Sequence, residues 1–272
     1  MINFLHSFHP SSILFQIGIV KIHGYGFLVV SAIIIGLFIA LKLAQKYGYS
    51  ADDVYDLAFY LVIFSAIGAR IYAVLLFPKY YFQNPLEIFQ PWKGGLAIHG
   101  VIFAGLITLF FYTKRKKLQF WAWADILVVA LAFGQAVGRW GNYFNQENFG
   151  KPTTLPWGIP VDFALRPGGF ENFEFFHPTF LYESILNFAL FLILLSLHFK
   201  KLTTYNLQLT TGIISLLYLI FYSIIRICME FIRIDETPLI FGIRFPILVS
   251  AGIMLISLLI FIYRSRINSR HI

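Results

Sequence analysis

Residues 121–145 read WAWADILVVALAFGQAVGRWGNYFN, a run of 25 residues in which Asp125 and Arg139 are the only charged side chains. About 20 consecutive apolar residues are enough for a helix to cross the hydrocarbon core of a bilayer. The run is therefore predicted to be a membrane-spanning helix. Its last turns nevertheless carry Arg139 and Asn142, and polar groups there are costly unless they have partners or a function.

The rest of the chain has the same character. Of its 272 residues, 58% are hydrophobic and only 12% are charged, which is too apolar for a soluble domain of this length. Seven stretches are long enough to span a bilayer, at roughly 18–43, 56–77, 95–112, 121–145, 179–199, 207–232 and 245–263. We expect an all-α fold, a polytopic bundle of seven transmembrane helices that forms one domain over residues 1–272.

Lysine and arginine are concentrated in alternate connections between these spans. The connection after the third span reads TKRKK (113–117), and the other basic residues of this group are Lys42, Lys46, Lys200, Lys201, Arg264, Arg266 and Arg270. Because positive residues near helix ends resist translocation, these connections and the C-terminus are predicted to be cytoplasmic. The N-terminus and a loop region around 146–178 are then outside. A basic face beside anionic lipid accounts for the net charge of +8, so no nucleic-acid partner is expected.

Once the direction of each span is set, polar side chains from six spans fall at one level near the outer helix ends. They include Tyr25, Arg70, His99, Arg139, Asn142, Glu183, Arg226, Glu230 and Arg233. Ionisable residues at such depths often bind substrates or ions. Other interpretations stay open for two of them: Tyr25 fits an interfacial aromatic belt, and Arg70 could reach the headgroups or make a structural pair.

One face of the sixth span is especially polar. Tyr222, Arg226, Glu230 and Arg233 are spaced by four, four and three residues, which places them on the same side of a helix. Arg226 and Glu230 can form a structural ion pair. Arg233 then leaves an excess of positive charge, which favours the binding of an anion.

Two glycine-containing segments add to this group. GRWGNYFNQENFG (138–150) places Arg139 next to Asn142 on a helix, and its glycines allow close approach of another helix or a ligand. GGLAIHG (94–100) presents His99 at the start of the third span, where backbone N–H groups also favour an anion. A histidine at a membrane surface is by itself more often a satisfied polar group than a catalyst. The neighbouring motifs favour a functional role.

These motifs, in this order, resemble those of the prolipoprotein diacylglyceryl transferase family. The matching segments are GGLAIHG (94–100), GRWGNYFNQENFG (138–150), TLPWGIP (154–160), HPTFLYES (177–184) and RICMEFIR (226–233). The resemblance extends from about Tyr25 to Arg233, and residues 138–150 are its most specific part. Trp140 and Tyr143 depart from the family pattern at positions that put no function in doubt.

The resemblance implies a bacterial inner-membrane transferase whose active site faces the outer leaflet, among membrane lipids. It would move diacylglyceryl from phosphatidylglycerol to the lipobox cysteine of a prolipoprotein signal peptide, forming a thioether and releasing glycerol 1-phosphate, the first step of lipoprotein maturation. Arg139 and Arg226 stand at positions of essential arginines, and His99 at that of a functional histidine. The other positions predicted to bind substrate, by motif or helix face, are Tyr25, Arg70, Asn142, Glu147, Gly150, Tyr222, Glu230 and Arg233. No cofactor or metal is implied.

The chemistry of that reaction suits these residue types. A guanidinium can bind two phosphate oxygens at once, so Arg139 and Arg226 are predicted to hold the phosphate as it leaves. The thiol, with an ordinary pKa of about 8.5, must lose its proton, either to His99 or because the arginines lower its pKa. The residues predicted to position the glycerol carbon are Asn142, Tyr25 and Glu147.

Two rival functions use similar residues. A transporter also places ion pairs inside the membrane, but it favours polar residues at the midplane and two similar halves. In this chain the polar residues lie toward one side, and the halves show no obvious repeat. A transferase that acts on another lipid, such as a polyprenyl phosphate, is not distinguished by the arginines alone.

Overall fold

The computed structural model describes residues 2–18, 20–203 and 211–268, most of which are helical. The helices are α1 (Ile2–Ser7), α2 (Gly24–Lys46), α3 (Ala51–Leu76), α4 (Pro78–Gln83), α5 (Ile98–Arg115), α6 (Phe120–Phe144), α7 (Thr179–Thr203), α8 (Ile213–Glu230) and α9 (Phe245–Asn268). The strands are β1 (Ile13–Ile17), β2 (Val20–His23), β3 (Ile159–Pro160), β4 (Phe175–Phe176), β5 (Leu239–Ile240) and β6 (Ile243–Arg244).

Six of the described helices are long and apolar enough to cross a membrane: α2, α3, α6, α7, α8 and α9. The chain is therefore a multi-pass membrane protein, as its composition predicts. The predicted span 95–112 forms α5, which has 18 residues and ends in Lys114 and Arg115. It is not among these six helices, so the count of seven spans stays a prediction. Residues 207–210 of the predicted sixth span lie outside the described residues.

The first span begins at Gly24 rather than at residue 18. The preceding apolar residues pair as antiparallel strands, β1 with β2, and Gly18 in their connection has a left-handed backbone with φ +59°. Composition alone does not separate a strand from a helix in a short apolar run. Two further antiparallel pairs, β3–β4 and β5–β6, make the fold mostly rather than wholly helical.

The chain divides into two compact units, one formed by the described residues of 1–39 and 127–272 and the other by residues 40–126. In the smaller unit, α3 and α5 approach closely where Gly68 faces Gly100. A Cβ atom on Gly100 would lie 2.1 Å from the Gly68 carbonyl oxygen and 2.7 Å from Cβ of Tyr72. Only glycine permits this contact between the two backbones.

In the larger unit, hydrogen bonds join α6 to α7. The Ser184 hydroxyl donates to the carbonyl oxygen of Ala136 at 2.8 Å, and Nε1 of Trp140 donates to the Ser184 hydroxyl oxygen at 3.1 Å. An apolar core covers the ends of these helices and holds β3 and β4 against them. Its buried members are Leu5, Tyr143, Phe149, Ile159, Val161, Phe176 and Phe180. This packing places residues 145–150 directly beside the end of α6.

Candidate active site

Glu183 on α7 lies at the centre of a charged cluster in the larger unit. Its side chain is only 3% exposed, and its Oε2 lies 2.5 Å from Nη2 of Arg139. Its Oε1 accepts a hydrogen bond from Nη1 of Arg233 at 2.9 Å. Arg233 also donates to Oδ1 of Asp235 at 2.7 Å and to the Asn148 side chain. Glu183 therefore joins arginines that are distant in sequence.

The charge of Arg233 is stabilised by these partners. Burial lowers the pKa of its guanidinium, but attraction to Asp235 and Glu183 outweighs burial, so the pKa is raised. Arg233 therefore remains a cation in the structure.

Glu230, at the end of α8, is the second buried carboxylate. Its Oε1 accepts a hydrogen bond from Nε of Arg244 at 2.8 Å, and its Oε2 lies 2.9 Å from Nη2 of Arg226. The contact with Arg226 is an ion pair by distance but lacks the alignment of a hydrogen bond. Nη2 of Arg244 also approaches Oδ2 of Asp235, at 3.7 Å. The ion pair of Arg226 with Glu230, which their spacing left open as one alternative, is thus present.

These contacts form one continuous network in the order Arg139, Glu183, Arg233, Asp235, Arg244, Glu230 and Arg226. This chain of contacts contains four guanidinium groups and three carboxylates. Nη1 of Arg226 is buried and has no hydrogen-bond partner within the described part of the chain. A buried N–H without a partner is unfavourable, and an anion oxygen would satisfy it.

Asn142 and Glu147 extend the network beyond Arg139. Nη1 of Arg139 lies 3.4 Å from Oδ1 of Asn142, and Nδ2 of Asn142 donates to Oε1 of Glu147 at 2.8 Å. The backbone turns sharply here, because Gln146 and Asn148 have φ of +48° and +57°. This turn brings the Glu147 carboxylate back over the last turn of α6.

Gly150 and Tyr25 occupy crowded positions. Gly150 forms a β-bridge with Arg233, and a Cβ atom there would lie within 2.9 Å of both His177 and Thr179. The Tyr25 ring lies against Gly141, where an added Cβ would be 2.3 Å from the ring. The lack of a side chain at Gly150 and Gly141 thus allows His177, Thr179 and Tyr25 to pack closely against the backbone.

Tyr222 lies one turn before Arg226 on α8. Its ring stacks on that of Tyr218, with the centroids 5.7 Å apart. The spacing of four residues places Tyr222 on the same face of α8 as Arg226, and its role in substrate binding stays a prediction.

Arg70 belongs to the smaller unit, where its guanidinium holds the connection between α3 and α5. It donates to the carbonyl oxygens of Ile88, Gly94 and Gly95 at 3.0, 2.7 and 2.8 Å, and to that of Glu87. The Tyr81 hydroxyl accepts a further hydrogen bond at 3.0 Å. These contacts match the structural interpretation of Arg70, and its substrate-binding role stays a prediction.

His99 also lies in the smaller unit. It occupies the first turn of α5, as predicted, and its ring is exposed and 5.5 Å from the ring of Tyr72, centroid to centroid. The imidazole is accessible, and its catalytic role stays a prediction.

Three residues of the network were not among the predicted site residues. Glu183 was one of the polar side chains expected near the outer helix ends but was not assigned to the site, although an ionisable residue in an apolar helix is a sufficient signal. Asp235 and Arg244 looked like ordinary loop charges, and sequence spacing gives no sign that they meet Arg233 and Glu230.

The fold and this network define an integral membrane protein with a largely buried site rich in arginine. The family model of prolipoprotein diacylglyceryl transferase matches residues 12–263. A phosphatidylglycerol–prolipoprotein diacylglyceryl transferase of Synechocystis sp. is 41% identical over 257 residues, which cover 92% of this chain and 90% of the relative. The protein of the same name from Synechococcus sp. (strain CC9902) is 44% identical over 227 residues, 84% of this chain and 81% of the relative.

The chain belongs to the prolipoprotein diacylglyceryl transferase family. The resemblance carried by its motifs is thereby confirmed. The protein is a transferase, and its family catalyses the first step of lipoprotein maturation.

Proposed function

We propose that this protein transfers the diacylglyceryl group of phosphatidylglycerol to the lipobox cysteine of prolipoproteins. In this reaction the cysteine sulfur forms a bond to the terminal carbon of the diacylglyceryl group. The bond from that carbon to the phosphate oxygen breaks at the same time. The thiol proton is lost, and glycerol 1-phosphate leaves with both electrons of the broken bond. The observation that carries the proposal is the network from Arg139 to Arg226, with its four guanidinium groups and with an Arg226 nitrogen that has no hydrogen-bond partner among the described residues.

The arginines suit the leaving phosphate. The phosphodiester carries one negative charge and becomes a monoester with a second, so charge develops on the phosphate during the reaction. Preorganised cationic donors stabilise such developing charge more than they stabilise the ground state. Glu183 and Glu230 support this role by holding Arg139 and Arg226 in place, so that little reorganisation is needed when the lipid binds.

The other predicted residues of the larger unit surround this phosphate site in our proposal. Asn142, Glu147 and Tyr25 orient the glycerol backbone, Tyr222 and Gly150 shape the space beside it, and Arg233 adds positive charge. His99 accepts the thiol proton. No cofactor is needed, because the phosphodiester already provides the leaving group.

For the membrane arrangement, we propose seven spans in one domain, with the N-terminus outside and the C-terminus in the cytoplasm. The loop region around 146–178 is then extracytoplasmic, and the site faces the outer leaflet of the bacterial inner membrane. Phosphatidylglycerol can enter sideways with its acyl chains still in hydrocarbon. A translocated signal peptide presents its lipobox at the same depth. The basic connections support this orientation.

The direct test uses the purified full-length protein in detergent with labelled phosphatidylglycerol and a lipobox peptide. We expect release of glycerol phosphate and a thioether on the peptide, with none from a peptide in which serine replaces the cysteine. Consumption of polyprenyl phosphate instead would favour the other lipid transferase. Solute uptake into vesicles without any consumption of lipid would favour a transporter.

Arg226→Lys is expected to lose most of the activity although the positive charge is kept. An ammonium cannot bind two phosphate oxygens in the fork geometry of a guanidinium. The measurement is the transfer rate at saturating phosphatidylglycerol, with Arg115→Lys at the exposed end of α5 as the matched control. A wild-type rate for Arg226→Lys would mean that simple charge balance suffices.

His99→Gln is expected to be impaired near neutral pH and to recover as the pH rises. Above the ordinary thiol pKa of about 8.5, the peptide cysteine ionises without a base. The measurement is the ratio of variant to wild-type rate across that pH range, with exposed His9→Gln as a control. A ratio that stays constant with pH would contradict a role for His99 as the base.

A further inference from the structure

The hairpin formed by β5 and β6 lies between the charge network and the last membrane helix. Ile240 pairs with Ile243, and the residues between them, Phe241 and Gly242, have φ of +51° and +76°. Two consecutive left-handed residues are the mark of a tight two-residue hairpin turn. The backbone N–H of Phe245 donates to the Pro238 carbonyl oxygen at 2.9 Å and closes the base of the hairpin.

Phe241 at the tip is not explained by the turn or by internal packing. This position favours asparagine, aspartate or glycine, because a bulky side chain is strained in the left-handed region. The Phe241 side chain is nevertheless 99% exposed. Leu239 is also 65% exposed, and Ile240 and Ile243 are partly exposed beside it. The tip is therefore an apolar surface that the rest of the described chain does not cover.

The membrane itself is the partner that this surface fits. The membrane-spanning helix α9 begins at Phe245, directly after β6. A strand rises about 3.3 Å per residue, so the tip lies within about 13 Å of the point where α9 begins. Residues 237–243 read TPLIFGI and carry no charge, which suits hydrocarbon and offers no ion-pair partner to a polypeptide.

We propose that the β5–β6 hairpin inserts Phe241 and its apolar neighbours into the lipid monolayer at the membrane surface where α9 begins. At the base of the hairpin, Nε of Arg244 donates a hydrogen bond to Oε1 of Glu230. The inserted tip therefore lies close to the charge network. The proposal depends on α9 crossing the membrane and does not depend on the reaction that the site catalyses.

The experiment places a fluorescent label on the hairpin. Cys228 is the only cysteine, so a Cys228→Ala background allows Phe241→Cys to be labelled with an environment-sensitive dye such as NBD. The protein is reconstituted in vesicles of phosphatidylethanolamine and phosphatidylglycerol. Leu255→Cys on α9 serves as the lipid-facing control and Glu171→Cys in an exposed loop as the aqueous control.

We expect the label at 241 to be several-fold brighter than at 171, with blue-shifted emission and little quenching by iodide. Nitroxide lipids labelled near the headgroup should quench it more than lipids labelled deep in the acyl chain, the reverse of the pattern at 255. Ile243→Cys provides a second position on the hairpin if the Phe241 variant folds poorly.

Iodide quenching at 241 and 243 equal to that at 171 would overturn the proposal. Shielding that appears only after a lipobox peptide is added would also overturn it, because the hairpin would then contact the polypeptide. The readout is independent of transfer activity, so failure here leaves the proposed reaction untouched.

Discussion

Arg139→Ala is expected to remove most or all of the diacylglyceryl transfer while the protein still inserts and folds. The substitution removes one of the groups proposed to bind the leaving phosphate. Truncating one partner of a buried, hydrogen-bonded charge pair costs about 2–5 kcal/mol, which corresponds to a rate loss of roughly thirty-fold to several thousand-fold. The fold should persist because Glu183 keeps its second partner, Arg233, at 2.9 Å.

The measurement for Arg139→Ala is single-turnover transfer in detergent, together with the yield and elution profile of the purified protein. Arg115→Ala, at the exposed end of α5, is the matched control and should retain normal transfer. Normal turnover by Arg139→Ala would remove this residue from the mechanism and leave the phosphate to Arg226 and its neighbours.

Glu183→Gln is expected to lower both stability and activity. The amide keeps the size of the side chain but removes the charge that holds Arg139 and Arg233. Breaking a buried ion pair by removing one partner costs about 3–5 kcal/mol. We expect the lower end of that range, because Arg233 retains Asp235 and the Arg139 side chain is 21% exposed.

Thermal unfolding in detergent measures the first effect, and the transfer rate below the unfolding temperature measures the second. Glu171→Gln makes the same chemical change in an exposed loop and should alter neither. If Glu183→Gln unfolds and reacts like the parent protein, Glu183 does not organise the arginines. A stable but slow variant would instead show that Glu183 acts by positioning them.

Local sequence patterns predicted the helices and part of the site. A continuous apolar run predicts α6, because the bilayer demands a helix of that length whatever it packs against. The spacing of Arg226 and Glu230 placed both on one helix face, since residues four apart are neighbours there, and it left their pairing open. The hairpin before Gly24 was not predicted, because an apolar run pairs as strands or continues as a helix depending on its neighbours.

The sequence by itself determined that this protein is a multi-pass membrane protein whose polar motifs match a known transferase family. The membrane spans follow from the hydropathy of each segment, and the family match follows from the order of residues within each motif. Neither depends on how the segments pack together. Only the tertiary structure decided that Glu183 joins Arg139 to Arg233 and that Arg244 and Asp235 complete the network. An ion pair between distant segments depends on how the helices pack, and the same charges would be ordinary loop residues in another arrangement.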